Sequence, residues 1–339
     1  MTLDLDTDRM RRALELSRSV RALTPPNPWV GCVLETAAGE VFEGSTTAVG
    51  GPHAEAVALA AAEGAGADLR GATAWVTLEP CSHHGRTPPC ADALVQAGVI
   101  RVVIALEDPD EKVAGQGIAR LVDAGIDVHV GLLAGEASDV LAAYLHQRRT
   151  GRPFVVLKLA ATLDGRTAAP DGTSQWLTGP EARADAHGLR AESDAIVVGA
   201  GTVRADDPSL TVRDAEAPRG DPLRVVLGSA PARAKVHPCT EHQGPLTDLL
   251  DRLGAEGHLQ VLVEGGASVA HAFHQQGLVD RYVLYLAPAL FGGDDARGLF
   301  AGPGAPTIGA VTRGRILQVQ PLGPDLRIDL DPTPAQEAP

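Results

Sequence analysis

The chain has 339 residues, of which 44% are hydrophobic, 21% are charged and only 3% are aromatic. A single hydrophobic core rarely grows beyond about 250–300 residues, so this length favours two domains. The composition is typical of a folded protein with an aliphatic core and excludes disorder as its main state. The formal net charge is −14, and acidic residues outnumber basic ones in both halves, so we expect no nucleic-acid partner.

The N-terminal segment and the cysteines indicate a compartment. The first residues are acidic and lack the basic region and apolar core of a signal peptide. No apolar stretch approaches the roughly 20 residues that a membrane-spanning helix needs, so we expect no membrane association. Four cysteines are too few for a disulfide framework in this chain, and the close pair Cys81 and Cys90 favours metal binding or catalysis. We therefore predict a cytoplasmic protein.

Hydrophobic periodicity predicts an α/β layered sheet in the first half of the chain. A helix is predicted from Asp6 to Leu23, with Asp6 or Thr7 as its N-cap and Pro25 just beyond its end. Strands and helices follow. The predicted strands are Trp29–Leu34, Glu40–Gly44, Thr73–Leu78, Val102–Ala105 and Asp127–Val130, and the predicted helices are His53–Glu63, Pro89–Ala97, Gln116–Ala124 and Ala137–Arg149.

Charge, glycine and proline interrupt the apolar pattern from Arg148 to Pro153, which predicts a domain boundary. We therefore predict one domain at residues 1–149, a second at 150–331 and a disordered tail at 332–339. The second domain also reads as α/β and ends in a hairpin of two strands, Arg315–Pro321 and Pro324–Leu330. Its other predicted strands are Phe154–Leu159, Ala195–Val198, Leu223–Leu227, Leu259–Val263 and Tyr282–Leu286, and its predicted helices are Pro180–Ala191, Thr247–Leu253 and Ala267–Gln276.

Three metal-binding residue types are predicted to meet at one edge of the first sheet. His53 opens a helix, Cys81 follows the strand Thr73–Leu78, and Cys90 begins the next helix. A histidine nitrogen and two thiolates suit zinc, and three protein ligands leave a fourth position open, as in catalytic zinc sites. Glu55 stands two residues after His53, and this H-x-E…P-C pattern is typical of zinc deaminases, in which the glutamate moves protons.

Two simpler interpretations stay open from the residues alone. Each residue could have an ordinary structural role, with His53 as a helix cap, both cysteines buried and Glu55 a solvated acid. Alternatively, His83 or His84 could supply a fourth ligand and make the zinc site structural. The occurrence of all these residue types at the ends of neighbouring elements favours the catalytic interpretation.

The loop from Cys81 to Cys90, with the segments Pro26–Gly31 and Pro52–Glu55, resembles the bifunctional riboflavin-biosynthesis deaminase-reductases. The resemblance implies a cytidine-deaminase-like α/β N-terminal domain that binds Zn²⁺ and uses Glu55 as its catalytic acid and base. The loop of eight residues between the cysteines separates this family from the cytidine and tRNA-editing deaminases.

The same resemblance implies that Asn27 and His83 contact the substrate of the first domain. Two positions depart from the family pattern, because Thr46 and Arg86 stand where many members have a histidine and a lysine. We therefore expect Arg86 to bind substrate, with the phosphate contacts arranged differently from those of other members.

In the second half, Leu262–Ala267 reads as a buried strand that delivers two glycines to the start of a helix. Such a turn can bind phosphate, because glycines allow close approach and the helix N-terminus favours an anion. It lacks the G-x-G-x-x-G pattern, so a plain glycine turn is the alternative. Lys158, one of only three lysines, lies in an apolar strand, where an unpaired charge is energetically costly. We therefore expect its ammonium group to point into a site.

Several segments of the second half are similar, in order, to the reductase domain of the same family: Leu163–Arg166, Ser174–Trp176, Thr202–Arg213 and Val263–Gly266. The resemblance implies a dihydrofolate-reductase-like α/β domain that binds NADPH. The implied NADPH contacts are Ala160, Trp176, Thr202, Asp206, Ser229, Gly266, Ala267, Ser268, Val269, Ala270, His271 and Ala272. The implied substrate contacts are Lys158, Ser174, Arg190, Leu210, Arg213 and Glu264.

Together these features imply two successive steps of riboflavin synthesis. The first is hydrolytic deamination of 2,5-diamino-6-(5-phosphoribosylamino)pyrimidin-4(3H)-one, and the second is NADPH-dependent reduction of its ribosyl group to ribityl. We also expect a small-molecule substrate and a homo-oligomer.

Two alternative functions stay open. The stretch between Ser229 and Val261 is shorter than in many members of the family, so the chain could be a single-activity deaminase with a non-catalytic second domain. A nucleic-acid editing deaminase is the other alternative. The negative charge and the few aromatic residues disfavour it, because they leave little for phosphate contacts or base stacking.

Overall fold

The computed structural model describes residues 2–82, 89–110 and 113–332. The chain forms two compact units, Met1–Gly151 and Arg152–Pro339. Each unit contains a sheet with helices, so the predicted α/β class is confirmed. Of the predicted tail, residues 333–339 lie outside the described residues. Within the described ranges, no helix combines the length and the apolar character needed to cross a membrane.

The first unit is built on a five-stranded sheet with the order β2-β1-β3-β4-β5. Strand β1 pairs antiparallel with β2 and β3, whereas β3, β4 and β5 are parallel. The elements are α1 (Thr2–Ser19), β1 (Gly31–Glu35), β2 (Val41–Ser45), α2 (Ala54–Gly64), β3 (Thr73–Val76), α3 (Cys90–Ala97), β4 (Arg101–Ile104), α4 (Gln116–Asp123), β5 (Asp127–Val130), α5 (Ala134–Val140) and α6 (Ala142–Thr150).

Helix α1 packs directly against the sheet and is held there by a buried carboxylate. The Cα of Gly31 on β1 lies so close to α1 that an added Cβ would come 1.9 Å from the Ala13 carbonyl oxygen. The carboxylate of Asp6 accepts hydrogen bonds from Trp75 on β3 at 2.9 Å and from Arg101 on β4 at 2.8 and 2.7 Å. The predicted N-cap at Asp6 or Thr7 is therefore wrong, because Asp6 lies inside α1 and faces the sheet.

The predicted helix Ala137–Arg149 is two helices, α5 and α6, which meet at Leu141. The indole N–H of Trp29 donates a 2.9 Å hydrogen bond to the carbonyl oxygen of Val140, the last residue of α5. Leu141 is fully buried at the junction. A tertiary hydrogen bond at the end of α5 and the burial of Leu141 thus accompany the break, which the periodicity does not show.

The second unit contains an eight-stranded sheet with the order β10-β9-β8-β11-β6-β12-β15-β14, and strands β7 and β13 form a separate pair. The first six strands of this order, from β10 through to β12, are all parallel. The predicted hairpin β14–β15 adds two antiparallel strands at the β12 side of the sheet. The elements are β6 (Phe154–Thr162), β7 (Arg166–Ala168), α7 (Pro180–Glu192), β8 (Ala195–Gly199), α8 (Ala200–Asp206), β9 (Leu223–Leu227), β10 (Thr240–His242), α9 (Leu246–Ala255), β11 (Gln260–Val263), α10 (Ala267–Gln275), β12 (Arg281–Ala287), β13 (Arg297–Gly298), β14 (Arg315–Leu322) and β15 (Asp325–Asp331), with a 3₁₀ turn at Ile308–Ala310.

The core of the second unit lies between this sheet and helices α9 and α10. Leu249 and Leu253 of α9 and Phe273 of α10 are fully buried against the strands. The stretch between Ser229 and Val261 contains β10 and α9, and α9 supplies part of this core. The parallel strands β6, β8 and β11 end at one edge of the sheet, where α8 and α10 begin.

Candidate active sites

The three predicted zinc ligands lie together at one edge of the first sheet. His53 is the N-cap residue of α2, Cys81 follows the end of β3, and Cys90 is the first residue of α3. One ligand atom from each residue lies within 4.8 Å of the others, and among the described residues this is the one such group. The two predicted helix N-termini therefore do face a common point.

The distances between these atoms suit a tetrahedral zinc ion. The Nδ1 atom of His53 is 3.5 Å from Cys81 Sγ and 3.4 Å from Cys90 Sγ. Zinc bond lengths of about 2.1 Å to nitrogen and 2.3 Å to sulfur, at a tetrahedral angle, separate the two ligand atoms by about 3.6 Å. One nitrogen and two sulfurs are also a suitable donor set for zinc. The residues present therefore fit the metal.

Hydrogen bonds favour the thiolate form of Cys81. Bonds from the Cys90 thiol, from His53 and from the Cys90 backbone N–H lower the pKa of the Cys81 thiol to about 4. The same contact with Cys81 raises the pKa of His53. The hydrogen bond with Cys81, followed by burial, raises the pKa of Cys90. Cys81 is thus the thiol of the pair that ionises more readily.

Glu55 lies beside these ligands in a buried position. It is the second residue of α2, and only 3% of it is exposed. Burial, followed by the negative charge of Cys81, raises the pKa of Glu55 to about 7. A carboxyl group with this pKa can both accept and donate a proton near neutral pH. Its buried location beside the ligands suits a general acid and base.

The remaining predicted residues of the first site are only partly described. Asn27 follows α1 in a loop, where its backbone N–H donates to the Thr24 carbonyl at 3.0 Å. Thr46 is buried, and its hydroxyl accepts the Val30 N–H at 3.1 Å, so it fixes the chain after Asn27. The predicted substrate residues His83 and Arg86, and the alternative ligand His84, lie outside the described residues.

A buried ion pair forms the centre of the second candidate site. Arg190 on α7 donates two hydrogen bonds to Glu264, which follows β11, at 2.6 and 2.9 Å. A third bond runs from Arg190 to the Thr211 carbonyl at 3.0 Å. Burial alone would raise the pKa of Glu264, but the Arg190 hydrogen bonds and the positive charge of Lys158 together lower it. Glu264 is therefore ionised at neutral pH.

Lys158 reaches the same region from the neighbouring strand β6. Its Nζ lies 5.7 Å from the ring centroid of Tyr285, within the range of a cation–π contact. The ring of Tyr285 is itself fixed, because its hydroxyl donates a 2.5 Å bond to Asp185. The lysine is thus held over an aromatic face near the ionised Glu264, which explains a charge in an apolar strand.

The segment before Arg213 completes this site. Leu210 is buried and has a φ of +53°, which is unusual for a residue other than glycine. The Arg213 backbone N–H donates to Nδ1 of His187 at 3.1 Å. Burial, together with the charges of Arg190 and Arg213, lowers the pKa of His187, so this ring is neutral and can accept the bond. The Arg213 side chain is exposed, with one 3.4 Å bond to Ser209.

The predicted cofactor turn lies at the start of α10. An added Cβ on Gly265 would come 2.4 Å from Val269, and one on Gly266 would come 3.3 Å from the Thr202 hydroxyl. At both positions glycine therefore lets the backbone come close to Val269 and Thr202, which the side chain of a larger residue would prevent. The first N–H groups of a helix have no partner within the helix, so Ala267 and Ser268 present donors suited to a phosphate. This turn fits the pyrophosphate of NADPH.

The other predicted cofactor residues are dispersed. Ser229 lines an open cavity of about 460 Å³ at the ends of β9 and β10, where its hydroxyl accepts a 3.0 Å bond from Gln243. Trp176 is 70% exposed and stacks under the Arg183 guanidinium at 4.9 Å. The remaining predicted cofactor residues are Ala160 on β6, Asp206 at the end of α8, and His271 and Ala272 on α10, whose Ala270 is fully buried in the core. Ser174, which was predicted to contact the substrate, lies in the loop before α7.

Sequence reasoning missed residues that support the predicted ones. His187 and Tyr285 contact Arg213 and Lys158, but neither was proposed. His187 stands three residues before Arg190 on α7, and this helical spacing was an available signal. Nothing local indicates Tyr285, because its contact depends on the pairing of β12 with β6.

Comparisons with known families agree with both sites. The cytidine and deoxycytidylate deaminase zinc-binding region matches residues 4–106, which include His53, Cys81 and Cys90. The RibD C-terminal domain matches residues 153–328. The two matches fall on the two units of the structure.

Individual proteins are similar over nearly the whole chain. The riboflavin biosynthesis protein RibD of Escherichia coli K12 is 42% identical over 95% of this chain and 98% of its own length. The solved structure of Acinetobacter baumannii RibD has a TM-score of 0.87 at 39% identity and covers 98% of this chain and 99% of that one. A diaminohydroxyphosphoribosylaminopyrimidine deaminase/5-amino-6-(5-phosphoribosylamino)uracil reductase from Thermotoga maritima has a TM-score of 0.86 at 31% identity, covering 98% of this chain and 100% of that one.

The fold, the zinc-ligand cluster and these matches define a two-domain enzyme in which a zinc-binding deaminase unit precedes a reductase unit. Within that class, the chain belongs to the RibD family. The resemblance drawn from the Cys81–Cys90 loop and from the second half is thereby confirmed, as is the order of the two domains.

We predict one tightly bound zinc ion per chain, because His53, Cys81 and Cys90 already stand at zinc-binding separations. Cys81→Ser and Cys90→Ser should each lose most of this metal, measured by metal analysis of the purified protein. Cys239→Ser is the matched control, since Cys239 has a free thiol and belongs to the other unit of the chain. Equal zinc in all four proteins, including the parent, would show that these cysteines are not the ligands.

Proposed function

We propose that this chain deaminates 2,5-diamino-6-(5-phosphoribosylamino)pyrimidin-4(3H)-one at the first site and reduces the ribosyl group of the product to ribityl at the second. The observation that carries the proposal is the buried Glu55 beside the His53, Cys81 and Cys90 cluster, in a chain of the RibD family. The T. maritima relative is named for both activities and covers 98% of this chain.

In the first reaction, water replaces an amino group of the pyrimidine ring, and ammonia leaves. Zinc held by His53, Cys81 and Cys90 would supply the Lewis acidity that makes water nucleophilic at neutral pH. The Glu55 carboxylate accepts the proton of the attacking water and then delivers it to the departing amine. Burial of Glu55 excludes bulk water from this transfer. We assign Asn27, His83 and Arg86 to substrate binding, with Asn27 in the loop beside the sheet.

In the second reaction, the chain orients the ribosyl phosphate against the cofactor. NADPH bound at the α10 turn would supply the hydride. Three of the five guanidinium N–H groups of Arg190 bind Glu264 and Thr211, so Arg190 mainly positions the ionised Glu264. The exposed Arg213 guanidinium has more free donors and is suited to the substrate phosphate. Lys158 adds a second positive charge beside the reacting sugar.

One assay with the purified chain, run without and then with NADPH, distinguishes the two activities. Substrate without NADPH should give the deaminated ribosyl compound and ammonia. Addition of NADPH should then give the ribityl compound with equal oxidation of the cofactor. Deamination without any NADPH oxidation would instead identify a single-activity deaminase.

Glu55→Gln should keep zinc and lose deaminase activity by about 10²–10⁴-fold, because the amide has a similar shape but cannot carry the proton. Steady-state ammonia release measures the loss. Glu63→Gln, an exposed substitution on the same helix, is the control and should match the parent. A Glu55→Gln variant with more than about a tenth of the parental rate would remove Glu55 from the proton transfer.

Lys158→Met should lower reductase kcat/KM by about 10- to 150-fold, the equivalent of a charged hydrogen bond of about 1.5–3 kcal/mol. Methionine keeps the stem over Tyr285 and removes the charge. NADPH oxidation with pre-deaminated substrate is the measurement, and deaminase turnover and zinc content should not change. Arg252→Met removes an exposed cation on α9 and serves as the control. A Lys158→Met rate within twofold of the parent contradicts the assignment.

We further propose a homo-oligomer formed through the edge strand β14. Ile316 and Val319 on this strand are 59% and 54% exposed. Exposed apolar side chains on an edge strand favour pairing with another chain. Sedimentation analysis should show a dimer or higher state, and Ile316→Lys with Val319→Lys should yield monomers with an unchanged first activity. A parent that sediments as a monomer contradicts this interface.

The proposed cellular setting and substrate class follow from the same features. All four cysteines have free thiols, and a site that needs two thiolates is maintained best in a reducing compartment such as the cytoplasm. The net charge of −14 supports a free small molecule rather than a nucleic acid as the substrate.

A further inference from the structure

Glu79 is a buried acid that neither proposed reaction uses. It follows β3, stands two residues before the ligand Cys81, and is only 5% exposed. Its backbone N–H donates to the Leu106 carbonyl at 2.9 Å, beyond the end of β4. A buried carboxylate needs compensating donors to remain ionised.

Backbone N–H groups from two pieces of the chain supply these donors. Glu79 Oε1 accepts from Gly117 at 2.8 Å and from Ile118 at 3.2 Å, which are the second and third residues of α4. Oε2 accepts from Gly115 at 3.0 Å and from Asp108 at 3.2 Å. The first N–H groups of a helix have no partner within it, so this distant carboxylate acts as the cap of α4.

The residue between Glu79 and the ligand is packed against the same helix. An added Cβ on Gly117 would come 1.9 Å from the Pro80 carbonyl oxygen, so the start of α4 touches the Pro80–Cys81 peptide. On the other side, the Cys81 carbonyl accepts the Ala91 N–H of α3 at 3.1 Å. The backbone of Cys81 is therefore held between α3 and the Glu79 cap.

We propose that Glu79 is a positioning residue for the zinc site, which sets the backbone of Cys81 by fixing Pro80 against α4. Zinc–ligand distances in metal sites fall within about 0.2 Å of their standard values, so a shift of the Cys81 backbone would weaken the bond of Cys81 to the metal. The two acceptor oxygens of Glu79 matter as well as its shape, because four backbone N–H groups point at them. Glutamine would direct an amide NH₂ at N–H donors, so at least one contact would be lost.

The test compares zinc affinity in Glu79→Gln and the parent chain, by competition with a chelator at a temperature where both are folded. Residues that support metal ligands typically change affinity by about 10- to 100-fold, and we expect a loss in that range. The visible absorption spectrum of the Co²⁺-substituted protein should also change, because it reports the ligand geometry. Reduction of pre-deaminated substrate should match the parent.

Asp6→Asn is the matched control. Asp6 is another buried carboxylate of the same unit that accepts several donors, but it contacts Trp75 and Arg101 instead of the ligand segment. This variant should lower the thermal stability of the unit and leave zinc affinity and the Co²⁺ spectrum unchanged. Should Glu79→Gln fail to fold, Gly117→Ala tests the same contact from α4, because its new Cβ displaces Pro80.

The inference rests on the proposed zinc site, and the two can fail separately. A parent chain that binds no zinc overturns both. A parent that binds zinc, with Glu79→Gln or Gly117→Ala within twofold of its affinity and with the same Co²⁺ spectrum, overturns the positioning role alone.

Discussion

Both candidate sites depend on the common direction of parallel strands. In a parallel sheet all strands end at the same edge, which brings together residues that are distant in the sequence. Cys81 follows β3 in the first sheet, and Glu264 follows β11 in the second. The helices that begin beside these strand ends add N–H groups and the positive end of their dipole at the same edge. This one arrangement favours thiolates in one unit and provides a turn suited to phosphate in the other.

Burial has opposite consequences for the key acids of the two sites. Burial, followed by the negative charge of Cys81, raises the pKa of Glu55 to about 7, and the charge of His53 only partly opposes this rise. Glu264 is also buried, but Arg190 and Lys158 lower its pKa and keep it ionised. The first acid can therefore exchange a proton, whereas the second is a fixed negative charge that orients neighbouring groups.

The sequence predicted those features that depend on local pattern. Strands β5 and β9 have the predicted bounds, and the zinc-binding residue types were recognised because they stand at element ends. Contacts set by tertiary packing were not accessible in this way. Asp6 was predicted to be a helix cap, because the local sequence does not show its true partners. These partners, Trp75 and Arg101, are 69 and 95 residues away. The family resemblance implied Arg190 and Glu264 only as separate substrate contacts, and their mutual ion pair, which spans 74 residues, was not predicted.

The attachment of α1 to the sheet also sets the smallest part of the chain that can fold as a deaminase. Asp6 binds both β3 and β4, and Gly31 lets the helix backbone rest directly on β1. A fragment that begins after Ser19 would remove the Asp6 carboxylate from the buried Trp75 indole and from the Arg101 guanidinium, and it would expose the face of β1 and β3 that α1 covers. Because β3 leads to Cys81, we expect a fragment of the first unit that is to fold and hold the metal ligands to need this first helix.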